Sequence, residues 1–414
     1  MNGAGYRPRL ADGRLADLMA AAPSVMVTGP RAAGKTTTAR RLAASVLRLD
    51  DAATATVVAA DPDAALRRSI EPVLIDEWQE VPQVLGAVKR AVDDDPRPGR
   101  FLLTGSVEAD LTSATWPGTG RVIRVVLHGL TRREIDGRAD GPGLLDAVVS
   151  ADLSAVRMPP SAPDLDGYVR LAAASGFPEP ALRLPGDVRE SWLDSYVEHV
   201  VTRDVAAAGQ ARDPVRLRRY LETLALSTAG LPTDTTLSET AGIDKRTADA
   251  YDRLLSSLYL LDLVPAWVSN RLSRLAKRPK RYLTDPALAM AAARINETAV
   301  LSDPDLLGRV LDTFVAAQLR PEVELLRPRA RLHHLRTEGG RQEVDLVLDL
   351  GAGRVVAVEV KAGTVPTRKD AKHLLWLRDE LGAGFARGIV FHTGPQPFEL
   401  DERVWAVPIA ALWS

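Results

Sequence analysis

Four short stretches of this 414-residue chain combine residue types that could do chemistry. GPRAAGKT, Gly29–Thr36, has the spacing G-x-x-x-x-G-K-[ST] and sits between an apolar run, SVMVT, and a helical pattern. Its glycines let a loop curl until its backbone N–H groups face phosphate oxygens. Gly29, Pro30, Arg31, Ala32, Ala33, Gly34, Lys35, Thr36 and Thr37 are therefore the candidate nucleotide contacts. Lys35 would neutralise the β- and γ-phosphates of ATP, and the Thr36 hydroxyl would ligate Mg²⁺. PVLIDEWQ ends an apolar run in Asp76 and Glu77. An aspartate there suits the same Mg²⁺, and a glutamate suits activation of water. FLLTGS ends another run in Thr104-Gly105-Ser106, where Thr104 would position the attacking water or sense the γ-phosphate. Arg121, in GTGR, is either a γ-phosphate contact, from its own or a neighbouring subunit, or an ordinary surface arginine.

The fourth stretch is VVAVEVKAG, Val355–Gly363. Strand side chains alternate faces, so Glu359 and Lys361 share one face while Val358 and Val360 share the other. Such a pair is a simple ion pair or half of a metal-dependent site. Asp345, in EVDLVLDL, precedes Glu359 by fourteen residues, with GAGR between them as a hairpin turn. Two carboxylates on adjacent strands could grip Mg²⁺ while Lys361 orients the attacking water. The adjacent His333 and His334 have no partner at metal-ligand spacing and read as structural.

Two further features concern nucleic acid. TLSETAGIDKRTADAYDRLLSSLYLLDLVPAW, Thr236–Trp267, reads as helix, turn at Gly242, helix and strand, the spacing of a helix-turn-helix with a wing. Its second helix would expose Lys245, Arg246 and Arg253, with Asp249 and Asp252 weakening any attraction for phosphate, and a protein-packing role is the other reading. RLSRLAKRPKRY, Arg271–Tyr282, holds six basic residues and no acid. Arg274, Lys277, Arg278 and Lys280 are its candidate DNA contacts, against the alternative of a solvated or purely structural turn.

The elements that must position these groups follow from hydrophobic periodicity. SVMVTG, SVLRLD, PVLIDE, RFLLTGS and RVIRVVL alternate with helical stretches, which predicts βαβ units and a parallel sheet. Helical periodicity dominates from about Asp187 to Leu263, and strands return after Pro321 as RLHHLR, EVDLVLDL, RVVAVEVKA, RGIVFHT and RVWAVPI. The fold class expected is α/β, divided as a phosphate-loop domain (1–143), a linker and helical region (144–210), a winged-helix-like domain (211–282) and a C-terminal α/β domain (283–414). A hydrophobic share of 46%, 26% charged residues and a net charge of −1 describe a globular protein whose overall charge does not advertise nucleic-acid binding. The absence of cysteine excludes disulfides and thiolate metal sites and suits a reducing cytoplasm. No apolar leader and no apolar run near 18 residues is present, so a cytoplasmic, non-membrane location is expected.

GPRAAGKT, LRLDD (Leu47–Asp51), DP (Asp61-Pro62), LIDEWQEVP (Leu74–Pro82), LLTGS (Leu102–Ser106), SGFPE (Ser175–Glu179), YVEHVVTRDV (Tyr196–Val205) and the EVD…VEVK pair occur in that order. In this the chain resembles bacterial and archaeal AAA-type ATPases that carry a DUF4143 C-terminal region. The resemblance implies an AAA+-like core, a helical and winged-helix middle, and a C-terminal domain similar to the PD-(D/E)XK nucleases. It also places Asp312, in RVLDTFVAAQL, where such nuclease folds often carry a Glu. The expectation is an ATP-binding, Mg²⁺-dependent ATPase coupled to that nuclease-like domain. DNA and an unidentified protein are candidate partners, and oligomerisation is left open. The alternatives are an ATP-regulated, metal-dependent DNA nuclease and a non-enzymatic ATP switch.

Overall fold

A computed structural model describes residues 5–106, 119–150, 158, 162–204, 213–267, 278–337 and 340–414. The described chain packs as two compact units, one running through Leu130 with Ser257–Tyr259, the other comprising Thr131–Ser256 and Leu260–Ser414.

In the first unit, β1 (Ser24–Thr28), β2 (Ser45–Arg48), β3 (Val73–Asp76), β4 (Phe101–Gly105) and β5 (Ile123–Val126) form one sheet in the order β2-β3-β4-β1-β5. All its pairings are parallel. Every residue of β1, β3 and β4 is buried, as their near-continuous Val, Ile and Leu content requires of strands covered on both faces. Side-chain alternation feeds two cores: Val25 and Val27 join Leu102 on one face, while Met26 joins Leu103 and Ile75 on the other. Because the strands run the same way, the residues following β1, β3 and β4 emerge along one edge of the sheet. That brings the Gly29 loop, Asp76–Glu77 and Thr104–Ser106 to a common place.

Arg121 is not brought there. It precedes β5, and its carbonyl accepts a hydrogen bond from Ser24 Oγ at the start of β1 (2.6 Å). It therefore stands at the opposite end of the strands, roughly 13 Å of strand length from the loop. Its guanidinium is 2.9 Å from Asp93. The assignment as a γ-phosphate contact within its own chain is thus corrected to a surface ion pair.

The segment 131–143, expected with the phosphate-loop domain, packs in the second unit. A capping box of Thr131 and Glu134 starts the helix Arg132–Ile135. The Arg132 N–H donates to Gln318 (2.6 Å), and Arg133 lies 3.5 Å from Glu322 with both side chains buried.

The middle of that unit contains the helices Asp234–Ala241 and Lys245–Ser257, separated by Gly242 in the left-handed region. Thr233 caps the first helix, and Asp244 caps the second through the Thr247 N–H at 2.9 Å. A two-stranded antiparallel hairpin follows, β6 (Leu261–Val264) with β7 (Lys280–Leu283). Its connection contains residues 268–277, so Arg271, Arg274 and Lys277 lie outside the described residues.

C-terminal to the hairpin, the helix Pro304–Leu325 precedes β8 (Arg331–Arg336), β9 (Glu343–Asp349) and β10 (Val355–Val360). The helix Lys372–Leu381, β11 (Phe385–His392), β12 (Phe398–Asp401) and β13 (Val404–Pro408) complete the chain's last sheet. Its order is β12-β13-β11-β10-β9-β8. β8, β9 and β10 are antiparallel neighbours, whereas β10 and β11 are parallel across the helix that joins them. On β10, Val356 and Val358 enter a core shared with Leu311 and Phe314 of the long helix. Val355 and Ala357 enter another shared with Leu374 and Leu377. Among the described residues no helix is long and apolar enough to cross a membrane.

Candidate functional site

The phosphate loop is held in a curled form by local backbone chemistry. Gly29 has φ 142°, and a Cβ there would lie 2.2 Å from the Leu127 carbonyl oxygen, so no other residue fits. Gly34 (φ 92°) opens the helix Lys35–Arg40. Lys35 is buried and donates to the carbonyls of Gly29 (3.0 Å) and Pro30 (2.7 Å). Burial, reinforced by Arg31, brings its pKa down to about 8 despite Glu77 and Asp76 nearby. An anion in the loop would reverse that shift. Arg9, which the sequence reading did not single out, donates to the Ala33 carbonyl (2.9 Å) and the His128 carbonyl (2.6 Å), bracing the loop from behind.

Asp76 Oδ1 accepts from Thr36 Oγ1 (2.7 Å) and from Thr104 Oγ1 (2.5 Å). Thr104 Oγ1 also accepts the Glu77 N–H (3.3 Å). Thr104 is fully buried, so its hydroxyl is committed to aligning the two acids and does not face a water or γ-phosphate as expected. Glu77 has φ 54° and ψ 52°, a left-handed conformation that is strained for a residue with a Cβ. Its Oε2 is hydrogen-bonded by Gln79 and lies 3.5 Å from Ser106 Oγ. Hydroxyl and carboxylate oxygens converging beside Lys35 are hard donors of the kind Mg²⁺ takes.

The C-terminal cluster differs from expectation in one respect. A cleft of about 660 Å³ is lined by Asp312, Asp345, Glu359 and Lys361, which the sequence reading had associated. Lys280 joins them from below. It was grouped with the DNA-contacting cations, yet it is 1% exposed, with Nζ 2.6 Å from Asp312 Oδ2 and 3.1 Å from Asp345 Oδ1. Burial opposes its charge, but Asp312 and Asp345 outweigh that and hold its pKa well above the ordinary value. Lys280 is thus corrected from a nucleic-acid contact to the counter-ion of this cluster.

Glu359 Oε1 pairs with Lys361 Nζ at 2.7 Å, while Oε2 is buried without a hydrogen-bond partner among the described residues. Burial first, then the Asp345 charge, push the Glu359 pKa up to about 8 although Lys361 opposes them. Among the described residues no group of three or more His, Asp or Glu is arranged to hold a metal ion. Asp345 and Glu359, the two carboxylates expected to hold a metal ion, are each met by a lysine ammonium group, Lys280 and Lys361 respectively.

Arg281, next on β7, points the other way. It donates to Asp252 through Nε (3.0 Å) and Nη2 (2.8 Å) and to Asp234 (2.9 Å), and Asp252 also accepts from Tyr220 (2.6 Å). Asp252 was expected to face any DNA, but it is turned inward. Lys245, Arg246, Arg253 and Arg278 are exposed. His334 is buried, with Nε2 3.1 Å from the Arg278 carbonyl oxygen, and its pKa is lowered by burial to about 4. The turn Ser175-Gly176-Phe177 is held by Asp285, which accepts from Ser175 Oγ (2.9 Å) and the Gly176 N–H (2.7 Å).

A parallel sheet whose first strand feeds a glycine-bounded lysine loop, with a carboxylate-ended strand on the far side of β4, defines a P-loop nucleotide-binding unit. Comparison with known protein families agrees. Residues 21–136 match an AAA domain family, residues 165–299 a domain of unknown function, DUF8612, and residues 307–412 a further one, DUF4143. The chain is 30% identical over 405 residues to the uncharacterized protein Rv2008c of Mycobacterium tuberculosis, covering 97% of this chain and 83% of that one. The uncharacterized protein Mb2031c of Mycobacterium bovis matches to the same extent. Among solved structures, the Walker-type ATPase PABY2304 of Pyrococcus abyssi aligns at 13% identity and a TM-score of 0.43, over 70% of this chain and 96% of that one. A RuvB point mutant of Thermotoga maritima aligns at 17% identity and a TM-score of 0.30, over 69% and 94%. The chain belongs to the family of AAA-type P-loop ATPases that carry a DUF4143 C-terminal region.

Proposed function

We propose that the protein binds ATP with Mg²⁺, hydrolyses it, and couples its nucleotide state to a nuclease-like C-terminal domain that associates with nucleic acid. The observation that carries the hydrolytic reading is the convergence of Thr36 and Thr104 on Asp76, with Glu77 held beside them by Thr104. The loop N–H groups and Lys35 would bind the β- and γ-phosphates. Mg²⁺, held through Thr36 and Asp76, would offset the phosphate charge. Glu77 would accept a proton from the attacking water, its backbone strained into place before substrate arrives.

The element order of the C-terminal part (helix, three antiparallel strands, helix, parallel strand) supports the nuclease-like reading. The acids on β9 and β10 beside a helix-borne Asp312 support it too. Exposed Lys245, Arg246, Arg253 and Arg278, with Asp252 withdrawn from them, support contact with phosphates.

Phosphate release and nucleotide binding, with and without DNA, test the proposal. Lys35→Ala should lose nucleotide binding. Glu77→Gln should keep binding and lose about 10²–10⁴-fold in turnover, the usual worth of a general base. Wild-type turnover in Glu77→Gln would remove Glu77 from the role given to it.

A further inference from the structure

We infer that Lys280 is a resident cation that takes the place of a divalent metal between Asp312 and Asp345, so that the C-terminal carboxylate cluster holds an ammonium group and binds no metal ion. The inference rests on the nuclease-like reading of this domain and narrows it to a form that does not use metal.

The argument is an oxygen-by-oxygen account. Asp312 Oδ2 accepts from Lys280 Nζ (2.6 Å), and Asp312 Oδ1 accepts from Tyr282 Oη (3.1 Å). Asp345 Oδ1 accepts from Lys280 Nζ (3.1 Å), and Asp345 Oδ2 accepts the Val360 N–H (3.0 Å). Glu359 Oε1 accepts from Lys361 (2.7 Å). Of the six carboxylate oxygens on these residues, Glu359 Oε2 alone has no partner among the described residues. Mg²⁺ takes octahedral coordination at about 2.0–2.1 Å, and Lys280 Nζ lies against one oxygen of each aspartate that would have to supply it. A cation bridging Asp312 and Asp345 would have to occupy the point where Nζ sits.

Strand geometry explains how the ammonium arrives. Lys280 and Tyr282 are two apart on β7, so both project to the same side and both reach Asp312, while Arg281 between them reaches the opposite side. The placement is fixed by the hairpin register, in which Lys280 pairs with Val264 and Tyr282 with Asp262. A lysine on a pinned, buried strand is a structural cation. Lys361, by contrast, is part-exposed at the cleft, where it can reach a ligand.

The test is a Mn²⁺ titration of the nucleotide-free full chain, read by electron paramagnetic resonance. Asp345→Asn serves as the control that isolates this cluster from the phosphate loop. Wild type is expected to show no Mn²⁺ binding that Asp345→Asn removes. Lys280→Met is expected to gain one Mn²⁺ per chain, lost again in Lys280→Met combined with Asp345→Asn. A wild-type Mn²⁺ site abolished by Asp345→Asn overturns the inference, as does a folded Lys280→Met that gains none. If Lys280→Met does not fold by circular dichroism, the wild-type titration decides the matter in either direction. DNA binding by the wild-type chain, measured alongside, reports on the nuclease-like reading separately. A metal site with DNA binding intact sinks only the resident cation.

Discussion

Replacing Asp252 by Ala should reveal whether the helix pair and hairpin form a brace around Arg281. The Asp252 side chain is 8% exposed and that of Arg281 is 7% exposed, so the pair is shielded from water. Removing the carboxylate strands the guanidinium with Asp234, whose side chain is 26% exposed, as its remaining acid in this network. Leaving a buried charge without its partner costs about 3–5 kcal/mol. The Tyr220 hydroxyl, which donates to Asp252 at 2.6 Å, is orphaned as well. An unsatisfied buried donor adds about 1–3 kcal/mol. The combined loss, about 4–8 kcal/mol, is comparable to the whole stability of a typical domain, about 5–15 kcal/mol. Urea unfolding followed by tryptophan fluorescence measures it, because Trp192, Trp267, Trp376, Trp405 and Trp413 all belong to the second unit. Asp252→Asn, which keeps an acceptor for Tyr220, should fall at the low end and supplies the value if the Ala variant does not fold. A change below about 1 kcal/mol in Asp252→Ala refutes the reasoning, since that is the scale of an exposed pair. So does an Arg281→Gln variant of undiminished stability that flattens the salt dependence of DNA binding.

Two further predictions concern protons. The Glu359 carboxyl, about 4.5 when unfolded and about 8 when folded, keeps its proton longer in the native state. Its contribution is therefore complete below pH 4.5 and lost as pH rises through 8, a ceiling of roughly 5 kcal/mol. Glu359→Gln should be progressively more stable than wild type between pH 5 and pH 8.5 in urea titrations, and parallel profiles would exclude the shift. Lys35, lowered to about 8 in the free loop, should regain its proton when phosphates bind. Nucleotide affinity should then decline as pH rises above 8. Calorimetry at pH 8.5 in buffers of different ionisation enthalpy should detect proton uptake, and identical heats would contradict it.

What the sequence made legible was local. The phosphate loop, the strand-end acids and the strands RLHHLR and EVDLVLD are written in contiguous residues with strong periodicity, and they appear where periodicity placed them. The short strand Phe398–Asp401 was missed because it has only four residues and pairs by one edge. Lys280 was misread for a different reason. Its neighbours in sequence are basic, which suggested a solvated or phosphate-facing cluster, whereas its partners Asp312 and Asp345 stand 32 and 65 residues away. Arg121 was misplaced because adjacency to a glycine turn says nothing about which end of a parallel sheet that turn occupies. Arg9 gave no signal, since it acts on backbone carbonyls remote in sequence, and Asp285 before Pro286 signals a helix cap but not its hold on Ser175 and Gly176.

Strand β7 carries buried charge on both of its sides, Lys280 toward one set of acids and Arg281 toward another. It cannot withdraw from either without leaving uncompensated ions in a low-dielectric setting. Local fraying of the hairpin, the cheapest motion for an ordinary two-stranded element, is thereby denied to it. Separating the hairpin from the helix pair or from the C-terminal sheet therefore breaks a buried ion pair, at about 3–5 kcal/mol. A polar lock at their junction thus makes three pieces of secondary structure a single cooperative foldon.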